Sequence, residues 1–197
     1  MGHPSGLPAE TSERYFIFAG RLQPPHNGHI DVVRFALLEC MTPLYIGLIV
    51  SAASAEGERG PHADIADRHN QPTKNPFSFH QRRLMLDQTL RESGLHPGTD
   101  RLGILALPRP SLAWAWTEAM LPGHRTWIVP DCGDHFDDEK AAFYREMGDE
   151  VVRPSFEPTI RGTRVRELIR RRDERVESFL PKPVVRALRY ANTLDAG

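Results

Sequence analysis

The segment Gly20-Arg21-Leu22-Gln23-Pro24-Pro25-His26-Asn27-Gly28-His29 constrains this chain more than any other. It follows a short apolar run, Tyr15-Phe16-Ile17-Phe18-Ala19, and precedes a helical pattern that begins near Ile30. A strand therefore hands over to a helix through a turn carrying an arginine, prolines, glycines and a pair of histidines. A helix start directs unbonded backbone N–H groups and the positive end of the helix dipole at one point. Imidazole donors at that point suit a phosphate whose charge rises during a reaction. Gly28 lets backbone approach a ligand closely, and Gly20 with Arg21 adds a permissive turn and a fixed cation. Such histidines could also be metal ligands or plain turn residues. No further ligand lies at suitable spacing beside them, so phosphate binding is the stronger reading and no protein-held metal is expected.

Around that turn, apolar runs alternate with helical patterns. Strands are expected over Tyr15–Ala19, Leu44–Val50, Arg101–Leu107, Arg125–Pro130 and Glu150–Arg153. Helices are expected over Gly28–Met41, Ser78–Arg91, Ser111–Leu121, Asp138–Met147, Gly162–Arg172 and Pro183–Thr193. Leu44–Val50 is nearly all apolar, the pattern of a strand buried on both faces of a parallel sheet. This alternation predicts an α/β fold, a Rossmann-like doubly wound parallel sheet with C-terminal helices. Ligands of such sheets bind beyond the carboxyl ends of the strands, which is where the opening turn lies.

The length of 197 residues suits a single domain over 15–197, and 40% hydrophobic residues suffice for its core. Residues 1–14 read as a disordered tail. Residues 51–75 show no apolar periodicity and read as an inserted flexible loop. His62, Asp64, Asp67 and His69 within it fit a solvated loop better than a metal cluster. No apolar run is long enough to span a membrane, and the polar start has no signal-peptide core, so the cytoplasm is the expected location. A net charge of -1 offers no reason to propose nucleic acid or membrane as a partner. Cys40 and Cys132 are far apart in sequence and read as free thiols.

Later segments carry related chemistry. Gly162-Thr163 opens a helix with backbone N–H groups and a hydroxyl, and Arg166 lies one turn on, able to reach the same anion. Arg170-Arg171-Arg172 fits a solvated helix end favoured by the dipole. Asp131, Gly133, Asp134 and His135 follow the fourth strand, where ligands sit. Trp114 and Trp116 could serve the core or a ring-stacking platform.

GRLQPPHNGH resembles the GRFQPxHxGH signature of the nucleotidylyltransferase superfamily, and within it the chain is similar to the archaeal-type nicotinamide mononucleotide (NMN) adenylyltransferases. Thr73-Lys74-Asn75-Pro76-Phe77, followed by a helix with Arg82, resembles that family's T-x-x-N-P-F element. Arg161-Gly162-Thr163-Arg164-Val165-Arg166 resembles its S-G-T-x-I-R motif, and Phe179-Leu180-Pro181-Lys182-Pro183-Val184-Val185 its C-terminal V-P-x-x-V-V stretch. The likeness runs from about Tyr15 to Tyr190. It implies transfer of a nucleoside monophosphate from a nucleoside triphosphate to an acceptor phosphate, with release of pyrophosphate. His29 would stabilise the α-phosphate and His26 would assist at the triphosphate. Arg21, Thr163 and Arg166 would hold the β- and γ-phosphates, and Gly20, Gln23, Gly28, Gly162, Asp131 and Gly133 would complete the nucleotide site. Mg2+ would ride on the triphosphate. Asn75, Arg82, Trp114, Asp134 and His135 are the acceptor-side candidates. A homo-oligomer is an analogy with such relatives.

The departures concern the bases. Where the family carries Asn-x-x-Trp, this chain has Pro110 and Ala113, with the tryptophans offset. Where the family has Ser-x-Asn-Pro after the fourth strand, this chain has Asp131-Cys132-Gly133-Asp134-His135. Two substrate pairs therefore stay open: ATP with NMN, giving NAD, and CTP with a small phosphonate such as phosphonoformate. A non-catalytic nucleotide-binding regulator is a third reading, disfavoured because binding alone would not need the α-phosphate residues.

Overall fold

Tyr15, Ile17 and Ala19 belong to one apolar cluster and Phe16 and Phe18 to another, so the first strand, β1 (Arg14–Gly20), is covered on both faces. In the computed structural model of the chain, which describes residues 14–39, 42–50, 76–131, 135–156 and 160–190, β1 lies at the middle of a five-stranded sheet. Its companions are β2 (Leu44–Val50), β3 (Leu102–Pro108), β4 (His124–Ile128) and β5 (Glu150–Val152), in the order β3-β2-β1-β4-β5. Every pairing is parallel; Phe18 lies opposite Ile46, Ile46 opposite Ile104, and Ile17 opposite Trp127. The strand order reverses between β1 and β4, which opens a crevice at their carboxyl ends.

Helices cover both faces. α1 (Asn27–Arg34) and α2 (Phe79–Glu92) bring Ile30, Val33, Leu86 and Leu90 onto Phe18, Ile46 and Leu48. Ser78 caps α2: its Oγ accepts from Gln81 N–H at 3.2 Å, and Gln81 Oε1 accepts from Ser78 N–H at 2.8 Å. On the other face α3 (Trp114–Met120) and α4 (His135–Glu146) pack on Tyr15, Ile17 and Trp127, with Trp127 and Tyr144 stacked at 3.9 Å. A third cluster joins α5 (Gly162–Arg170), a 3-10 turn (Glu174–Phe179) and α6 (Lys182–Tyr190) to Phe77 and Met85. The alternation thus folds as the expected doubly wound α/β sheet with C-terminal helices.

Boundaries differ in ways that have local causes. Arg14, assigned to the tail, opens β1 and pairs with His124. α1 gives way at Phe35 to a π-type turn, Phe35–Glu39. α3 starts at Trp114 because the Pro108-Arg109-Pro110 corner makes a turn in which Leu112 and Ala113 donate to Arg109 O. α4 starts at His135, earlier than expected, so Asp137 and Asp138 fall in its first turn, where the dipole favours them. The 3-10 turn was not expected; Asp173 caps it by accepting from Arg175 N–H. Residues 1–13, Cys40, Cys132 and the whole 51–75 segment lie outside the described residues. No helix among the described residues is long and apolar enough to cross a membrane.

Candidate active site

The turn after β1 is held from three sides. Leu22 adopts a left-handed backbone (φ 48) that a leucine tolerates only under constraint, and its burial supplies that constraint. A Cβ at Gly20 would lie 2.8 Å from Leu22 Cδ1, so a larger residue there would have to displace the Leu22 side chain. The Gln23 amide clamps the backbone of Phe77, with Nε2 donating to Phe77 O at 2.9 Å and Oε1 accepting from Phe77 N–H at 3.0 Å. Arg82 is buried and its Nη1 donates to Arg21 O and Ile49 O.

His26 is the N-cap of α1, and His29 stands in its first turn. His29 Nδ1 accepts from the His26 backbone N–H at 3.1 Å, so the neutral ring carries its proton on Nε2. The two imidazoles stack at 3.6 Å. Burial, and then the Arg166 charge, push His26 down to about 3. His29 is also held well below the ordinary histidine range, first by burial and then by His26, Arg166 and Lys140. Both rings are therefore neutral at neutral pH. Both nitrogens of His26 are buried without a hydrogen-bond partner among the described residues.

The start of α5 converges on the same place. A Cβ at Gly162 would lie 3.1 Å from Arg166 Nη1 and 3.6 Å from His26 Nε2; one at Gly28 would lie 3.0 Å from Ile160 O. Arg166 donates through Nη2 to Thr163 Oγ1 at 3.1 Å and through Nη1 to Gln23 O at 3.4 Å. The N-cap of α5 is Arg161, whose side chain makes no capping bond, so the first-turn N–H groups of this helix have no side-chain cap.

Positive charge gathers here. Burial and the neighbouring Arg166, Arg109 and Arg82 push the Arg21 guanidinium down to about 10. Burial also lowers Arg166 and Arg109. Lys140 Nζ, from α4, donates to Ala19 O at 2.7 Å. One pocket is lined by Gly20, Arg21, His26, His29, Thr163 and Arg166, among others. A second adjoins it, sharing Arg21 and Lys140 and walled by Ile49, Pro110, Phe136 and Phe143. Like charges that depress one another, beside two helix starts and neutral imidazole donors, make a cradle for a chain of anions.

Gly20, Arg21, His26, Gly28, His29, Gly162, Thr163 and Arg166 are thus brought together as the motifs require. Others are placed differently. Gln23 lines the pocket, but its amide is committed to Phe77, so it positions the loop and does not reach for phosphate. Arg82 is committed to carbonyls and ties the turn to β2. Asp131 pairs with Arg153 at 2.9 Å. Trp114 packs against Trp127 and Phe143 with Arg125 over its ring, so it serves the core, whereas Trp116 is exposed. His135 is exposed on α4, its Nδ1 3.7 Å from Glu139. Asn75, Gly133 and Asp134 lie outside the described residues. Arg170 to Arg172 follow the expected solvated end, where Arg171 pairs with Glu167.

Sequence reasoning missed Arg109, Phe136 and Lys140. Arg109 follows a strand's carboxyl end, a position that the rule for parallel sheets could have flagged. Lys140 carried no such signal, because its place depends on how α4 crosses β1.

No protein-family model matches the chain. The chain is similar to the nicotinamide-nucleotide adenylyltransferase of Pyrobaculum aerophilum, at 31% identity over 170 residues, covering 85% of this chain and 83% of that protein. It is similar to the nicotinamide-nucleotide adenylyltransferase of Thermococcus sibiricus at 29% identity, covering 86% of this chain and 80% of that protein. Among solved structures, a bifunctional NMN adenylyltransferase/ADP ribose pyrophosphatase from Francisella tularensis superimposes with a TM-score of 0.53 at 19% identity, covering 80% of this chain and 41% of that one. A proposed nicotinate-nucleotide adenylyltransferase from Vibrio parahaemolyticus gives a TM-score of 0.58 at 14% identity, covering 92% and 95%. These structural likenesses speak to the fold.

Proposed function

Because the chain belongs to the nicotinamide-nucleotide adenylyltransferases, a family of nucleotidyltransferase enzymes, we propose that it transfers AMP from ATP to the phosphate of a pyridine mononucleotide such as NMN. An acceptor phosphate oxygen bonds to the α-phosphorus, the bond from the α-phosphorus to the bridging oxygen breaks, and pyrophosphate leaves. The acceptor oxygen is already ionised near neutral pH, so no side chain has to remove a proton. The protein's contribution is to position the two anions and to stabilise charge in the transition state.

The observation that carries this reading is the neutral His26–His29 stack set between two helix starts and a ring of guanidinium groups. In this reading His29 donates from Nε2 to the α-phosphate as its charge grows, and His26 donates at the triphosphate. Arg21, Thr163 and Arg166, with the N–H groups of α5, hold the β- and γ-phosphates. Lys140 stands where the two pockets join and balances charge on both substrates.

The donor set here is imidazole, guanidinium, ammonium and hydroxyl, with Asp137 the carboxylate on the phosphate side. Among the described residues no group of three His, Cys, Asp or Glu gathers. That chemistry does not build a protein cage for magnesium, which prefers oxygen ligands. Mg2+ would enter on the triphosphate, held by phosphate oxygens and water.

The test is pyrophosphate release from ATP, CTP, GTP and UTP, each paired with NMN, nicotinate mononucleotide and a small phosphonate. Turnover is expected with ATP and a pyridine mononucleotide. The curated relatives lend no support to a CTP and phosphonate pair, and turnover confined to that pair would replace the adenylyl reading. Nucleotide binding without release in any combination would point to a silent binder.

A further inference from the structure

We propose that Arg109 selects the acceptor, and that the pocket beside the phosphate cradle takes an acceptor whose flat apolar body ends in a carboxylate. This rests on the nucleotidylyl-transfer reading and goes on to the chemistry of the second substrate.

Arg109 directly follows β3, between Pro108 and Pro110. Its carbonyl accepts from Leu112 N–H at 3.0 Å and Ala113 N–H at 3.1 Å, so its backbone is fixed before any ligand arrives. Arg109 lines the apolar pocket together with Ile49, Pro110, Phe136 and Phe143. Arg21 and Lys140 line both this pocket and the phosphate cradle, whereas Arg109 lines this one alone. The cations are therefore distributed in two places. Arg21 and Lys140 line both pockets, where the reacting phosphate must lie, and Arg109 lines the apolar pocket alone, near enough to Arg21 for its charge to help depress that guanidinium.

Through its side chain Arg109 makes no ion pair or hydrogen bond among the described residues. Glu139 is the carboxylate lining the same pocket, and it lies 3.7 Å from His135 Nδ1 on its own helix. Burial pushes the Arg109 guanidinium down from its ordinary value, with no carboxylate raising it. Arg109 is half-buried; a partly desolvated guanidinium without a counter-ion carries a cost that a carboxylate delivered by the ligand reduces through a bidentate bond. A carboxamide in the same place supplies one acceptor oxygen and no charge. The aromatic and aliphatic walls favour a planar ring over a small aliphatic acid.

Nicotinate mononucleotide and nicotinamide mononucleotide are the matched probes, since they differ only in carboxylate against carboxamide. With ATP as donor, kcat/KM for the acid is expected to exceed that for the amide by about tenfold or more. Arg109→Gln should lower kcat/KM for the acid by about tenfold, mainly through KM, and bring the ratio of acid to amide toward one. Phosphonoacetate against methylphosphonate supplies the arm without a ring. Equal use of acid and amide, equal loss of both in Arg109→Gln, or turnover of phosphonoacetate in place of the mononucleotides would overturn the proposal. Absence of pyrophosphate release with every acceptor would instead defeat the underlying transfer reading. Calorimetric titration with the two mononucleotides needs no turnover and still decides the pocket: tighter binding of the acid, abolished in Arg109→Gln, supports the assignment, and equal binding refutes it.

Discussion

The two histidines share a turn but face different physical demands. His29 is oriented by the backbone N–H it accepts at Nδ1, which leaves Nε2–H as its donor. A donor aimed at developing charge typically contributes a factor of about a hundred or more to kcat. His29→Ala is therefore expected to lower kcat at least about 100-fold with KM for ATP changed far less, as steady-state pyrophosphate release would reveal. Near-normal turnover would remove His29 from the role. His26 has a second consequence, for stability. Its pKa is about 3 in the folded chain and near 6.5 in the unfolded one. Between those values the unfolded chain binds the extra proton, so stability is full above about pH 6.5 and falls as pH drops toward about 3. Denaturant titrations of the ligand-free enzyme from about pH 7.5 to about pH 5 should show this loss, and His26→Gln should reduce the slope. An unchanged slope would mean that the ring is not buried neutral.

α5 acts as a unit through its first turn. Gly162 lets that turn approach both Arg166 and His26 closely: a Cβ there would lie 3.1 Å from the guanidinium nitrogen, which would have to give by a few tenths of an ångström. Arg166 donates to Thr163 Oγ1 and to Gln23 O, so such a shift would strain these bonds. Gly162→Ala should raise KM for ATP about tenfold while the melting temperature stays nearly constant, because alanine is a better helix former than glycine. A loss of melting temperature without a change in KM would show that the glycine serves packing instead. The same logic separates the two arginines carried by motifs. Arg166 lines the cradle, braced by Thr163 and Gln23, while Arg82, from helix α2, ties Arg21 O and Ile49 O together.

The sheet's opposite edge holds the fold together away from the chemistry. Asp149, just before β5, accepts from Arg125 Nε at 2.8 Å and from Trp127 Nε1 at 2.6 Å, and the Arg125–Asp149 pair is buried. Removing one partner of a buried pair costs about 3–5 kcal/mol because the other charge is stranded. Asp149→Ala should lower the melting temperature by on the order of 10 °C. Its kcat/KM at room temperature should stay within about twofold of the parent, since Asp149 lies at the amino ends of the strands and the cradle at their carboxyl ends.

How far the chain could be read in advance follows from the range of the forces involved. Strand and helix periods are local, so the alternation of β1 through β5 with their helices, and the edge of the sheet on which the site lies, were legible from the order of apolar residues. Motif spacing is local too, which is why Arg21, His26, Gly28 and His29 could be placed on one turn, and Thr163 with Arg166 on another. That the two turns meet, with Gly162 against His26, depends on the packing of the C-terminal helices on Phe77 and Met85, which no local pattern encodes. Competition among partners was equally hidden. Gln23, Arg82 and Asp131 look like ligand-binding groups in sequence, and only the folded chain decides that Phe77, two carbonyls and Arg153 take them first. Arg109 shows the converse. A residue's charge is written in the sequence, but whether that charge finds a protein partner or is kept for a ligand is decided by long-range packing, because electrostatic pairing depends on distances that only the tertiary fold sets.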